Sequence, residues 1–291
     1  VGLGISYQDL SPGLRILTRY IHRNILRVGS IETGGMSMNT HVDCIACIVK
    51  KADKLADKYM RDKRQKYSFM QQVLQAILET DYNRSSPVID AKFFRLAKEF
   101  LAKEDIYEEE KRYFNARMLA MESDLEGLLT GSEDKLFDAL KMASAGNIID
   151  FSALSDISLE LVQDIIRQTM EQPFDTELYH TLRRDLGNAK SLLYLGDNTG
   201  EIVLDKIFIK QLRESYEHLD IKFATRGKAI FNDVTEEDAF LVGMDQYAQI
   251  VNNGADLPGT DLLEVSEEFE ELFDKADVVI AKGQGNFESL E

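Results

Sequence analysis

The sequence predicts an α/β protein in two parts, an all-helical N-terminal subdomain followed by a mostly parallel, doubly wound sheet flanked by helices. Three observations lead there. From Val42 to about Leu186, apolar residues recur at three- and four-residue spacing, the helical period. From Ala189 onward, short apolar runs without that period alternate with helical stretches, the pattern of parallel strands joined by right-handed crossovers. Each of those runs ends in a polar cluster, as strands of an open α/β sheet do at their carboxyl edge. The change of pattern sets the expected boundaries: residues 36–187 for the helical subdomain and 188–291 for the α/β domain.

The first 35 residues stand apart. Leu14 to Val28 reads as a basic, mildly amphipathic helix carrying Arg15, Arg19, Arg23 and Arg27 with few acids. Such a segment fits a targeting peptide or an upstream, non-native extension before a start at Met36 or Met38. The composition break at Gly34 and Gly35 favours the extension. Helices are then expected at Cys44–Tyr59, Ser68–Thr80, Asp90–Ala102, Tyr107–Leu129, Asp134–Ala145 and Ser158–Met170. Asp90 and Ser158 are the expected N-caps, and Pro87 and Pro173 are expected outside helices. Ile106 to Leu119 mixes acids and bases around Tyr113 and Phe114, which reads as a solvated helix face. The strands are expected at Ser191–Leu195, Ile221–Thr225, Gln249–Asn252 and Asp277–Ala281, with helices between them at Gly200–Tyr216, Thr235–Gly243 and Ser266–Asp274. Glu291 follows a glycine-rich loop with no closing helix or strand, so a C-terminal truncation is expected.

Composition narrows the function classes. Apolar residues make up 44% and charged residues 29% of the 291, values of a water-soluble globular chain. The net charge of −17 argues against nucleic acid or an anionic membrane as partner, and requires any phosphate site to bring its own positive charge. No apolar run approaches the ~18 residues of a membrane span. Two cysteines and no disulfide framework fit a reducing cytoplasm.

The chemistry lies in the four strand-end clusters. The first holds Asp197, Asn198 and Glu201; the second Thr225, Arg226 and Lys228, then Asn232 and Asp233. The third holds Asn252, Asn253, Gly254 and the turn Pro258-Gly259-Thr260; the last runs from Lys282 through Gly283 and Asn286 to Glu288. Singly, each has a structural reading as a helix cap or a turn. A parallel sheet brings all four to one edge, where they match a metal-assisted phosphate site. Asp197, Asn198 and Asp233 are oxygen ligands suited to one hard divalent cation with positions left for water and substrate. Lys282, the amides beside it and Arg226 are candidate phosphate binders, aided by the helix that starts after Gly200.

Gly196-Asp-Asn-Thr-Gly-Glu201, Arg226-Gly-Lys through Asn232-Asp-Val-Thr235, Asn253-Gly254 with Pro258-Gly-Thr260, and Lys282-Gly-Gln-Gly-Asn-Phe-Glu288 keep one order along the C-terminal half. Together they resemble the metal-dependent damage-control phosphatases, a family long catalogued as a domain of unknown function. The likeness runs from about Val42 to the end, and Asp43-Cys-Ile-Ala-Cys47 resembles the opening of its mainly prokaryotic branch. It implies a Rossmann-like sheet with a helical N-terminal subdomain and a metal triad on Asp197, Asn198 and Asp233. It also implies hydrolysis of small phosphorylated metabolites, such as sugar phosphates or phosphopantetheine-like compounds. The cation would be Mn, Mg, Co or Ni. The remaining site residues carried by the matched motifs are Arg226, Asn232, Asn253, Gly254, Lys282, Gly283, Asn286 and Glu288 for phosphate. Family members continue with a further strand and helix that this sequence lacks after Glu288.

Other phosphatase chemistries fail on spacing. A cysteine phosphatase needs an arginine six positions after the thiol, where Cys44 has Lys50 and Cys47 has Asp53. An aspartyl-phosphate enzyme needs a second Asp two residues on, where Thr199 stands. Attack by a metal-activated water is what remains, with Asp197 and Glu201 both open as proton acceptor and Lys282 as a further catalytic candidate. Two different readings stay open: carboxyl methylation with S-adenosylmethionine, and a non-catalytic nucleotide-binding or regulatory module. No Gly-x-Gly-x-x-Gly turn follows the first strand, which counts against the methyltransferase. Cys44 and Cys47 form half of a zinc-type ligand set, with His41 as a candidate third ligand; two small buried cysteines are the plainer alternative. The oligomeric state is not encoded in any of these patterns.

Overall fold

The computed structural model describes residues 19–22, 40, 42–147 and 157–290. Within them lies one five-stranded sheet in the order β1-β5-β2-β3-β4. The strands are β1 (Arg19–His22), β2 (Ser191–Leu195), β3 (Asp220–Thr225), β4 (Gln249–Asn252) and β5 (Val278–Ala281). β5, β2, β3 and β4 run parallel, in register Leu192 with Val278 and with Ile221, and Lys222 with Gln249. β1 closes the β5 edge antiparallel, Tyr20 opposite Ile280. The Leu14–Val28 helix expected from sequence is therefore wrong at Arg19–His22, which is strand; the rest of that segment lies outside the described residues. The α/β architecture and the four parallel strands are as the sequence predicts.

Helices α1 (Val42–Tyr59), α2 (Lys63–Leu78) and α3 (Ser86–Leu101) precede α4 (Glu108–Gly127), α5 (Lys135–Gly146), α6 (Leu159–Glu171) and α7 (Thr176–Asn188). The crossover helices are α8 (Ile202–Ser215), α9 (Glu236–Leu241) and α10 (Glu267–Lys275), and α11 (Gly283–Leu290) follows β5. Side chains alternate across the sheet. Leu192, Tyr194, Ile221, Phe223, Val278 and Ile280 face the main core, which continues through buried residues of α4 to α9. Leu193, Leu195, Ala224, Val279 and Ala281 face the other way, onto Phe269 and Phe273 of α10 and Leu290 of α11. One core thus runs across the composition change at residue 188, from Phe114 to Ile280. Helices α1 to α3 instead build a separate core on Phe69, Phe93 and Phe94, joined by Ile230 and Phe231 from the loop after β3.

Several local expectations are corrected. Asp90 is no N-cap: it lies within α3, buried, and pairs with Lys51 at 2.8 Å, while Ser85 takes the cap position. Pro87 sits in the first turn of that helix, where its missing N–H leaves nothing unpaired. The Gly283–Leu290 stretch is a helix, not an open loop. Ser158 caps α6 as expected, accepting from the Leu161 N–H at 3.2 Å. The Tyr113–Phe114 region is not simply a solvated face, because Lys111 and Asn115 are buried against α8 and α9. Among the described residues, no helix is long and apolar enough to cross a membrane.

Candidate active site

The parallel ladder continues past the strand ends and fixes the edge. The Gly196 N–H donates to the Ala224 carbonyl at 3.0 Å, Lys282 N–H to Leu195 at 3.0 Å, and Asn253 N–H to Thr225 at 2.9 Å. Gly196, Lys282 and Asn253 therefore leave the sheet together, and the residues after them converge. A short bridge pairs Asn198 with Asp233, locking the loop after β2 against the loop after β3. The Val234 N–H donates to the Asp197 carbonyl at 2.8 Å, and the Thr199 N–H to Asn232 at 2.8 Å.

Asp197 and Asp233 share one guanidinium. Arg226 Nε donates to Asp233 Oδ2 at 2.7 Å, Nη2 to Asp197 Oδ1 at 3.4 Å and Nη1 to Asn286 Oδ1 at 3.2 Å. The other Asp197 oxygen, Oδ2, accepts from Asn198 Nδ2 at 2.7 Å and Asn147 Nδ2 at 3.2 Å. Asn147 also donates to Glu201 Oε2 at 2.9 Å, and the Asn198 N–H reaches Glu201 Oε1 at 3.2 Å. Two close approaches hold this geometry. A Cβ on Gly283, whose φ is +83°, would meet Asp197 Oδ2 at 1.9 Å. One on Gly146 would meet Glu201 Cβ at 2.8 Å, so glycine there lets α5 press onto α8.

A cavity of about 700 Å³ opens on this edge. Asp197, Asn198, Asn232, Asp233 and Glu288 form one wall, and α1 with the start of α3 forms the opposite wall. Glu288 accepts from Ser86 and Gln284 on the cavity rim. The sequence-predicted metal triad is thus gathered on a single surface.

Other predicted site residues are not on that surface. Lys282 is fully buried beneath it, Nζ donating to Asp205 Oδ1 and the Ala143 carbonyl at 2.8 Å each, with Glu201 at 3.8 Å. Fully buried and turned to Asp205 and the Ala143 carbonyl, Lys282 does not line the cavity, so direct phosphate contact by it is corrected to a supporting role. Arg226 is likewise buried, with one hydrogen bond from each of its nitrogens to Asp233, Asn286 and Asp197. Asn286 spends its amide on the Gly196 and Lys282 carbonyls. Asn253 accepts from the Gly227 and Ala255 N–H groups at 3.0 Å each, and Gly254 forms the turn beside it, so this pair shapes the loop rather than the cavity wall. Glu201 is 1% exposed and reaches the site only through Asn147 and Asn198.

Sequence reasoning missed Asn147, Asp205 and the α1 lysines Lys51, Lys54 and Lys58. Asn147 closes the Ala-rich end of α5, a break that marks a helix stop but no ligand. Asp205 is an acid on the apolar face of α8, an anomaly the pattern does show. Cys44 is half-buried and Cys47 exposed, both on the cavity wall, so the reading as two buried cysteines is overturned. His41 lies outside the described residues.

Charge is crowded here. Burial pushes the Asp197 carboxyl well above its usual range, and Glu201 and Asp233 add to the shift. Burial raises Asp233 too, against the pull of Arg226. Glu201 rises to about 7, driven first by burial and countered by Lys282. Lys282 loses to burial but gains more from Asp205 and Glu201, and ends above the ordinary lysine value. Crowded carboxylates beside Asn oxygens form a hard-cation donor set with charge left to neutralise. Asn147 Oδ1, buried beside them, has no hydrogen-bond partner among the described residues. Those residues contain no group of three or more His, Cys, Asp and Glu placed to ligate a metal; the set at this edge counts the Asn198 amide as one of its oxygens. The residues present fit a divalent cation held by Asp197, Asn198 and Asp233.

Comparison with known proteins places the chain. The damage-control phosphatase ARMT1-like domain family matches residues 40–291. An uncharacterized protein of Methanocaldococcus jannaschii is 30% identical over 262 residues, covering 88% of this chain and 84% of that protein. A damage-control phosphatase of Pyrococcus horikoshii is 31% identical over 260 residues, covering 87% and 86%. The crystal structure of a DUF89 family protein from P. horikoshii superimposes with a TM-score of 0.76 at 27% identity, covering 87% of each chain.

Proposed function

This chain belongs to the damage-control phosphatase ARMT1-like domain family, and from that membership we propose that it is a divalent-metal-dependent phosphomonoesterase acting on small phosphorylated metabolites. The observation that carries the reading is the common wall of Asp197, Asn198 and Asp233 in the cavity, with one buried Arg226 between the two carboxylates. A cation held there would supply Lewis-acid chemistry, lowering the pKa of a water and offsetting charge on the phosphoryl oxygens. The chain's own residues do the rest. Arg226 and Asn147 fix the rotamers of Asp233 and Asp197, so that the two carboxylates are preorganised. Glu201, raised by burial to about 7, accepts from Asn147 Nδ2 and the Asn198 N–H and so orients the two groups that hold Asp197. Lys282 keeps the buried Glu201 and Asp205 from repelling the site apart.

The test is phosphate release from p-nitrophenyl phosphate with Mn²⁺, Co²⁺, Ni²⁺ or Mg²⁺, against the EDTA-treated protein. Turnover is expected only with metal, and to fall by at least about 100-fold in Asp197→Ala and Asp233→Ala. Circular dichroism should show both variants folded. Metal-independent turnover, or full activity in either variant, would refute the proposal.

A further inference from the structure

The cavity has a second charged wall that the phosphate chemistry does not use. Cys44, Cys47, Lys51, Lys54 and Lys58 fall at three- and four-residue steps on α1 and all line it. The acids of the same helix, Asp43, Asp53 and Asp57, are not among the cavity residues. In a chain of net charge −17, this segregation gives the cavity a local cationic face opposite the carboxylates. Two of these lysines are already matched, Lys51 by Asp90 at 2.8 Å and Lys58 by Glu110. Lys54 has no ion-pair partner among the described residues. The volume of about 700 Å³ is also that of a pocket for an extended ligand rather than for an isolated phosphate.

We propose that Lys54, flanked by Lys58, is a subsite for a second anionic group, so that the substrates are elongated phosphomonoesters bearing another phosphate or a carboxylate at the far end. This rests on the reading of the Asp197–Asp233 edge as the phosphatase centre. Lys54 is a specificity residue: it touches the end of the molecule that does not react, and its effect falls on binding. An exposed ammonium facing one anion contributes a charge-assisted hydrogen bond weakened by water.

The experiment uses alkyl phosphates of four to eight carbons ending in a phosphate, a carboxylate or a hydroxyl, with the metal-loaded wild type, Lys54→Met and Lys54→Arg. For wild type, KM at the best chain length should be about tenfold lower for an anionic end than for the hydroxyl end. Lys54→Met should bring that ratio to near unity with kcat changed less than about twofold, and Lys54→Arg should restore most of it. Whether phosphate or carboxylate ends are preferred identifies the anion. No preference at any length, or a ratio retained in Lys54→Met, overturns the subsite. Calorimetric Kd values for the same compounds separate the two readings. Binding that favours anionic ends and is lost in Lys54→Met, without phosphate release, keeps the subsite and sinks the phosphatase; equal Kd values sink the subsite whether or not phosphate is released.

Discussion

A lysine ammonium cut off from water depends on the protein for its partners, and Lys282 is such a group. It is fully buried, with the Ala143 carbonyl and Asp205 Oδ1 at 2.8 Å and Glu201 Oε1 at 3.8 Å. Asp205 Oδ1 also accepts from Tyr194 at 2.8 Å, so removing the lysine strands a buried carboxylate on one phenol. Lys282→Met should therefore cost about 3–5 kcal/mol in stability, the usual penalty for breaking a buried pair from one side. Urea unfolding with a shifted midpoint and unchanged slope checks it. Near-wild-type stability with a raised KM would instead restore the phosphate-binding role that the sequence suggested. The sequence could not separate these roles. A lysine before Gly283 at a strand end looks the same whether it points into a cavity or beneath it, and only the acid at Asp205, eleven residues after Tyr194, hinted at the buried alternative.

Elements tie the site together through groups that look superficial in the sequence. Asp238 Oδ2 accepts from the Thr235 N–H at 3.0 Å and its hydroxyl at 2.7 Å, closing the first turn of α9 two residues after Asp233. The same carboxylate meets Lys111 at 2.7 Å and Asn115 at 3.1 Å, both on α4. Asn115 in turn accepts from the Gly200 N–H at 2.8 Å, at the entrance to α8. Asp238→Ala should destabilise by about 3–5 kcal/mol, because it leaves Lys111 buried with Asp105 alone. Asp238→Asn, which keeps the cap acceptor, should cost about half as much. A thermal melt of both variants decides; equal losses would mean that the charge carries the whole contact, and no loss in Asp238→Asn that it carries none. The strands themselves were legible because an apolar run bounded by glycine or charge has few alternatives. The α4 face was not, since mixed charges read as solvated unless the element that covers them is known. Asp90 was misread for a related reason: an acid just ahead of a helical apolar pattern resembles a cap, and its partner Lys51 is distant in sequence.

At the scale of the whole molecule, the cavity exists only while the α1–α3 core stays docked on the sheet edge. Phe231 does much of that docking from the loop that also carries Asn232 and Asp233. Its ring lies 4.6 Å from Phe94 and 5.5 Å from Phe93, and Lys51 Nζ stands 5.4 Å above it. Its backbone φ of +44° is left-handed, a conformation that costs a non-glycine residue roughly 1–2 kcal/mol. That cost is offset by burying the ring in the α1–α3 core. Phe231→Ala keeps the strain and loses the ring, so the docking should weaken by about 2 kcal/mol, less than for a fully buried phenylalanine. Hydrogen exchange followed by mass spectrometry reads this regionally. Amides of α1 to α3 should exchange roughly thirtyfold faster while those of β2 and β5 keep their protection. Phe231→Gly, which relieves the strain but also lacks the ring, should fall between wild type and Phe231→Ala. Uniform acceleration across helices and sheet would show that the cap has no opening of its own. A regional opening would mean instead that the α1–α3 core undocks as a unit from the loop that carries Asp233, and that one aromatic residue sets how often it does so.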